Sequence, residues 1–155
     1  MTAPVPVSSV YFGKLAIILK ITLFTQIWIG ILYLITGKLV GFSGFPPFEI
    51  LIWLLRGTLA AIAIGALQLL LSMIIRSFSV PIGIALLGSI VGFLFSNKGL
   101  GYFCPYALML MGMNSNKTED SLQGGVLPFL LSTVVFFLLF SGCSIYILKK
   151  RDVRA

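Results

Sequence analysis

The chain has no histidine, four acidic residues and two cysteines among its 155 residues. The acids are Glu49, Glu119, Asp120 and Asp152, so no cluster of His, Cys and carboxylate suited to zinc or iron can be drawn. No metal or other cofactor is therefore expected. Nor does any apolar run hold two carboxylates that could work as acid and base, and no Gly-Lys-Ser/Thr phosphate loop occurs. The chain is read as a non-enzyme, and any ATP-driven role would need a separate ATPase chain. Cys104 and Cys143 fall near opposite membrane faces in the topology below, beyond the reach of a mutual disulfide. The first charge is Lys14, so no basic region precedes an apolar core as a signal peptide requires.

What fills the chain instead is apolar. Hydrophobic residues make up 59% and charged residues 10%, against about half and a quarter in a soluble globule. A soluble domain of this size has too little core to hide that surface, so lipid must be its main solvent. The net charge of +7 does not form a stripe. The cations fall between apolar runs and at the C-terminus, where they set orientation and meet anionic lipid, and nucleic acid is not an expected partner.

Hydrophobic run lengths predict an all-α, polytopic bundle of four spans in one transmembrane domain, at about 15–37, 48–75, 78–95 and 126–148. Residues 1–9, rich in Pro and Ser, are expected to be extended or loosely ordered. Pro81 and Pro128 fall in first turns, where a missing N–H costs little. Residues 99–113 are apolar but too short to cross and hold Pro105, which predicts a re-entrant or interfacial segment. Asn116-Lys117-Thr118, in the one long polar stretch, fits a glycosylation sequon.

Orientation follows from the cations. Four spans with a cytoplasmic tail put Lys14, Lys20, Arg76, Lys149, Lys150, Arg151 and Arg154 inside, and Lys38, Lys98 and Lys117 outside. A fifth crossing at 99–113 would move Lys14, Lys20 and Arg76 outside and even out the split. The expectation is a multi-pass protein of the cell membrane with both termini cytoplasmic.

Small residues recur at packing distance: Gly57, Ala61 and Gly65 along the second span, Gly88 and Gly92 in the third. They predict close pairing of these two spans through Gly65 and the Gly88–Gly92 face. Gln26 and Gln68 are expected at similar depth, either as interhelical hydrogen bonds or as the lining of a substrate path. Arg56 stands i,i+7 from Glu49 and is accounted for by snorkelling to the outer surface. Contact with an anionic substrate or lipid group is its functional reading.

Two stretches resemble type-2 ABC-transporter permeases. Pro6-Val7-Ser8-Ser9-Val10-Tyr11-Phe12-Gly13-Lys14 resembles the run that joins their cytoplasmic loop to the third membrane helix. Ile145-Tyr146-Ile147-Leu148-Lys149-Lys150-Arg151-Asp152-Val153 resembles their last helix leaving into a basic cluster plus Asp. Leu100-Gly101-Tyr102-Phe103-Cys104-Pro105-Tyr106 looks like the apolar, Pro-containing segment between their last two helices. The flavour is that of lantibiotic-immunity and bacitracin-type exporters. Such permeases usually have six helices, and this chain matches the last four. It is thus expected to be a truncated product, a split subunit or a chain begun at an internal methionine.

The resemblance implies a permease subunit exporting a hydrophobic or peptide-like compound such as an antimicrobial peptide, a role in antibiotic resistance. It implies a separate ABC ATPase docking near Lys14 and Arg76, and a second permease chain. The alternatives are a small membrane-resident immunity or interaction protein acting without ATP, and a channel-like or holin-like oligomer.

Overall fold

The computed structural model describes residues 6–41, 47–115, 122 and 125–152, and its regular structure is helical throughout these residues. The helices are α1 (Val7–Leu39), α2 (Pro47–Ile74), α3 (Ser79–Asn97), α4 (Pro105–Gly112) and α5 (Val126–Asp152), with a 3-10 turn at Gly101–Phe103. In lipid a backbone must satisfy its own hydrogen bonds, which is why unbroken apolar runs become helices here. α1, α2, α3 and α5 are each long and apolar enough to cross a membrane, so the chain is an all-α, multi-pass bundle. The sequon at 116–118, Glu119, Asp120, Ser43 and Arg154 lie outside the described residues.

Three helix ends have a local cause. Gly99 (φ +73°) follows the last turn of α3 in the left-handed conformation, and Leu100 N donates to Phe95 O at 3.0 Å. The same closure ends α4, with Asn114 (φ 50°) in the left-handed position and Ser115 N donating to Leu110 O at 3.0 Å. Pro105 opens α4 at a position whose N–H needs no partner.

α1 begins at Val7, so the expected extended stretch is helical over Val7–Ser9 and the first helix starts well before Leu15. The reason is tertiary. Tyr11 is fully buried, and its hydroxyl donates to Ser141 Oγ of α5 at 2.8 Å, which fastens the first turns to the bundle. α1 therefore runs about 50 Å, longer than a hydrocarbon core of about 30 Å. α5 likewise continues to Asp152.

α2 is the hub. It packs on α1, α4 and α5, and its small residues Ala60, Ala63 and Ala66 are fully buried. Two cores flank its middle. Tyr11, Leu15, Ala66, Leu69 and Met73 gather at the end that carries Arg76, with Phe140 and Leu148 of α5 packed on them. Ala60, Leu108, Met111, Leu122 and Phe129 gather toward the end that carries Lys98. The four long helices alternate in direction, so α1 starts and α5 finishes at the Arg76 end.

α4 decides the character of residues 99–113. It has 8 residues, about 12 Å, too short to cross. Ala107, Leu108, Met111 and Gly112 are buried, and α4 lies between α2 and α3. It starts beside Gly92 of α3 and ends against the backbone of Arg56, more than two turns into α2. The segment fits the expected re-entrant or interfacial element and leaves α2 and α3 with few contacts to each other.

Candidate functional site

The polar centre of the bundle is Gln26. It is 3% exposed, and its Nε2 donates to the Met113 thioether at 3.6 Å. Its Oε1 is buried and meets no donor among the described residues. A thioether is a weak acceptor, and an unmet buried amide oxygen is costly, more so in hydrocarbon than beside water. Gly57 makes the arrangement possible. A Cβ there would stand 3.2 Å from Gln26 Nε2 and 3.1 Å from Met113 Sδ. Gln26 and Gly57 each sit about 5 Å along the axis from the midpoint of their helices, deep in the span.

Gln68 takes part in a different network. Its Nε2 donates to the Tyr106 hydroxyl at 2.7 Å, tying α2 to α4. The expected common depth of Gln26 and Gln68 is corrected by the α1–α2 pairing. Gly30 faces Leu54, Gln26 faces Gly57 and Ile18 faces Gly65, so Gln68 is level with the first turns of α1. The two glutamines are about 16 Å apart in height. The offset follows from that register, in which Leu15, not Gln26, stands level with Gln68.

The small residues separate by partner. Gly65 faces Ile18 of α1, where a Cβ would lie 3.0 Å from Ile18 Cγ2, and Ala61 borders the cleft between α1 and α2. Gly88 and Gly92 face α4, not α2. A Cβ on Gly92 would stand 2.8 Å from Ala107 N, and one on Gly88 would overlap the Tyr106 ring. The expected pairing of the second and third spans is replaced because α4 occupies the space between them. A small face specifies close approach without naming its partner.

Arg56 is half-buried, and its carbonyl oxygen is 3.1 Å from where a Cβ on Gly112 would be. Lys14 and Arg76 are exposed at the end that also carries Lys149 and Lys150. Cys104 is buried and Cys143 exposed, both as free thiols. Among the described residues, no three His, Cys, Asp or Glu side chains converge.

Met113 and Tyr106 are the site residues that sequence reasoning missed. A Pro-Tyr start and a Gly-Met-Asn finish around a short apolar run were the available signals for α4 and its polar ends. No protein-family model, curated protein or solved structure matches the chain.

Proposed function

We propose that the chain is the membrane-spanning subunit of an ABC exporter, moving a hydrophobic or peptide-like compound such as an antimicrobial peptide out of the cell. The observation that carries this reading is α4. The Leu100–Tyr106 stretch, which resembles the segment between the last two helices of type-2 permeases, leads into a short buried helix between the last two spans. Four spans with both ends of the described chain on one side fit the last four helices of such a permease. Lys14, Arg76, Lys149 and Lys150 share that side, which under the positive-inside rule is cytoplasmic in the cell membrane. A separate ATPase docks there, and two permease chains match an ATPase dimer.

The test is co-purification in mild detergent with the ATPase encoded beside it. Charge reversal at Lys14 and Arg76 is the informative perturbation, because removing residues 1–13 would also remove the core residue Tyr11. Recovery of the ATPase with wild type, reduced by Lys14→Glu with Arg76→Glu, supports the exporter. No ATPase with either would sink it and leave the immunity or interaction reading.

A further inference from the structure

Lys20 is exposed, on the side of α1 turned away from Leu15, Ile18 and Gln26, which meet the bundle. Cation counting reads it as an inner charge, but the register of α1 against α2 places it deeper. With Ile18 facing Gly65 and Gln26 facing Gly57, Lys20 stands level with Ala63. That level is about 4 Å along the axis from the midpoint of α2. It is about 5 Å from the midpoint of the charge-free run between Arg56 and Arg76. By either measure Lys20 is rooted near the middle of the hydrocarbon. Without it, six inner cations still face three outer ones, so the orientation is unchanged.

A lysine side chain reaches about 6 Å and the headgroups begin about 15 Å from the midplane, so snorkelling does not bring this charge to water. Nor does the bundle neutralise it. Among the described side chains the acidic one is Glu49, level with Leu34 and about 21 Å along the axis from Lys20. A charge at this depth is sustained where it is paired or where it lines a polar cavity. Around Lys20, Gly13, Ala16, Ile17, Phe24 and Ile27 are exposed and apolar, which is a surface for a helix and not the wall of an aqueous path. Gly13 is an independent sign. A Cβ there meets nothing within 4 Å, so the packing of this chain does not require a glycine. Glycine weakens a helix interior, and in lipid it serves the close approach of a second helix.

We propose that this face of α1 docks a transmembrane helix of another protein, apolar but for one Asp or Glu near its middle, which pairs with Lys20. A second copy of the chain does not supply that carboxylate from the described residues. In a symmetric pair Glu49 stays in the first turn of α2 and Asp152 at the end of α5, both far from the midplane. Lipid headgroups are held at the interface. One cation on an apolar face selects one anion on another.

The experiment uses the purified full chain in phosphatidylcholine vesicles with synthetic Leu-Ala helices of about 21 residues. They carry a central Asp, a central Asn, or an Asp moved about 9 Å toward one end. A diazirine beside the test residue reports binding, and cross-links are mapped by mass spectrometry. The central-Asp helix should bind about tenfold more tightly than either other helix, as one close charge pair allows, with cross-links on residues 13–27. Lys20→Leu, which leaves every buried contact intact, should erase that preference. Lys20→Asp should transfer it to a helix with a central Lys. The comparison of helices on wild type is decisive even if a variant inserts poorly.

Equal binding of the Asp and Asn helices would overturn the proposal, as would a preference that survives Lys20→Leu. So would its loss on adding phosphatidylglycerol, which would mean that a lipid headgroup reaches Lys20. In the chain alone, with Cys143→Ser, Lys20→Cys should resist a membrane-impermeant thiol reagent and form no disulfide dimer. Reaction would mean an aqueous path and a dimer would mean a second copy, and either overturns the proposal. No ATPase enters these measurements, so their outcome is independent of the exporter reading.

Discussion

The contact between Gly92 and α4 gives the sharpest stability prediction. A methyl group at residue 92 would meet backbone, Ala107 N at 2.8 Å and Tyr106 C at 2.9 Å, neither of which can rotate away. Gly92→Ala must therefore push α4 from α3 by about 0.6 Å to restore ordinary contact. The displaced helix carries Leu108 and Met111 of one core and the Tyr106 hydroxyl that holds Gln68. Overpacking of this kind costs about 1–3 kcal/mol. Gly83 is the internal control, since it lies in the same helix and a Cβ there meets nothing within 4 Å. Gly83→Ala should be neutral or stabilising by up to about 1 kcal/mol through helix propensity. The assay is SDS titration in mixed micelles, followed by the fluorescence of Trp28 and Trp53. Gly92→Ala unfolding at the wild-type midpoint, or Gly83→Ala costing as much as Gly92→Ala, would refute the packing argument.

Other outcomes follow from the same contacts. Tyr11→Phe and Ser141→Ala should each cost about 1 kcal/mol, and a double-mutant cycle should show them coupled, because each removes the same buried hydrogen bond. Additive effects would mean that the hydroxyls do not meet. Gly57→Ala should cost less than Gly92→Ala, since its Cβ presses on the Met113 and Gln26 side chains, which can move. Equal losses in the same titration would contradict that ranking. A cysteine at Lys98 should react with a membrane-impermeant thiol reagent on intact cells and one at Arg76 should not, in a Cys143→Ser background. The reverse pattern would invert the proposed orientation.

The spans were legible because hydrophobic run length is a direct physical constraint on a chain in lipid. Some ends were legible from run length as well, since α2 runs Pro47–Ile74 against the expected 48–75 and α5 starts at Val126 as expected. Gly99 stops α3 as a glycine should, but Asn114 performs the same closure at α4 without the glycine signal. The start of α1 was hidden for a different reason. Pro and Ser argue for an extended N-terminus, and what overrides them is the Tyr11–Ser141 bond across 130 positions of sequence. Local propensity cannot register a contact of that range.

The candidate site was legible as a list of residues and not as an arrangement. Polar side chains in apolar runs stand out, so Gln26, Gln68 and Arg56 were found, and the small residues with them. Their partners depend on the register of α1 against α2 and on where α4 lodges, both tertiary outcomes. In the observed register Gln26 stands level with Gly57 and not with Gln68. Once there its Nε2 donates to the Met113 thioether, while Thr25, next to it in sequence, bonds to its own helix backbone. The buried amide thus follows from a register that sets Gln26 against glycine and methionine, which could not be read from the residue itself.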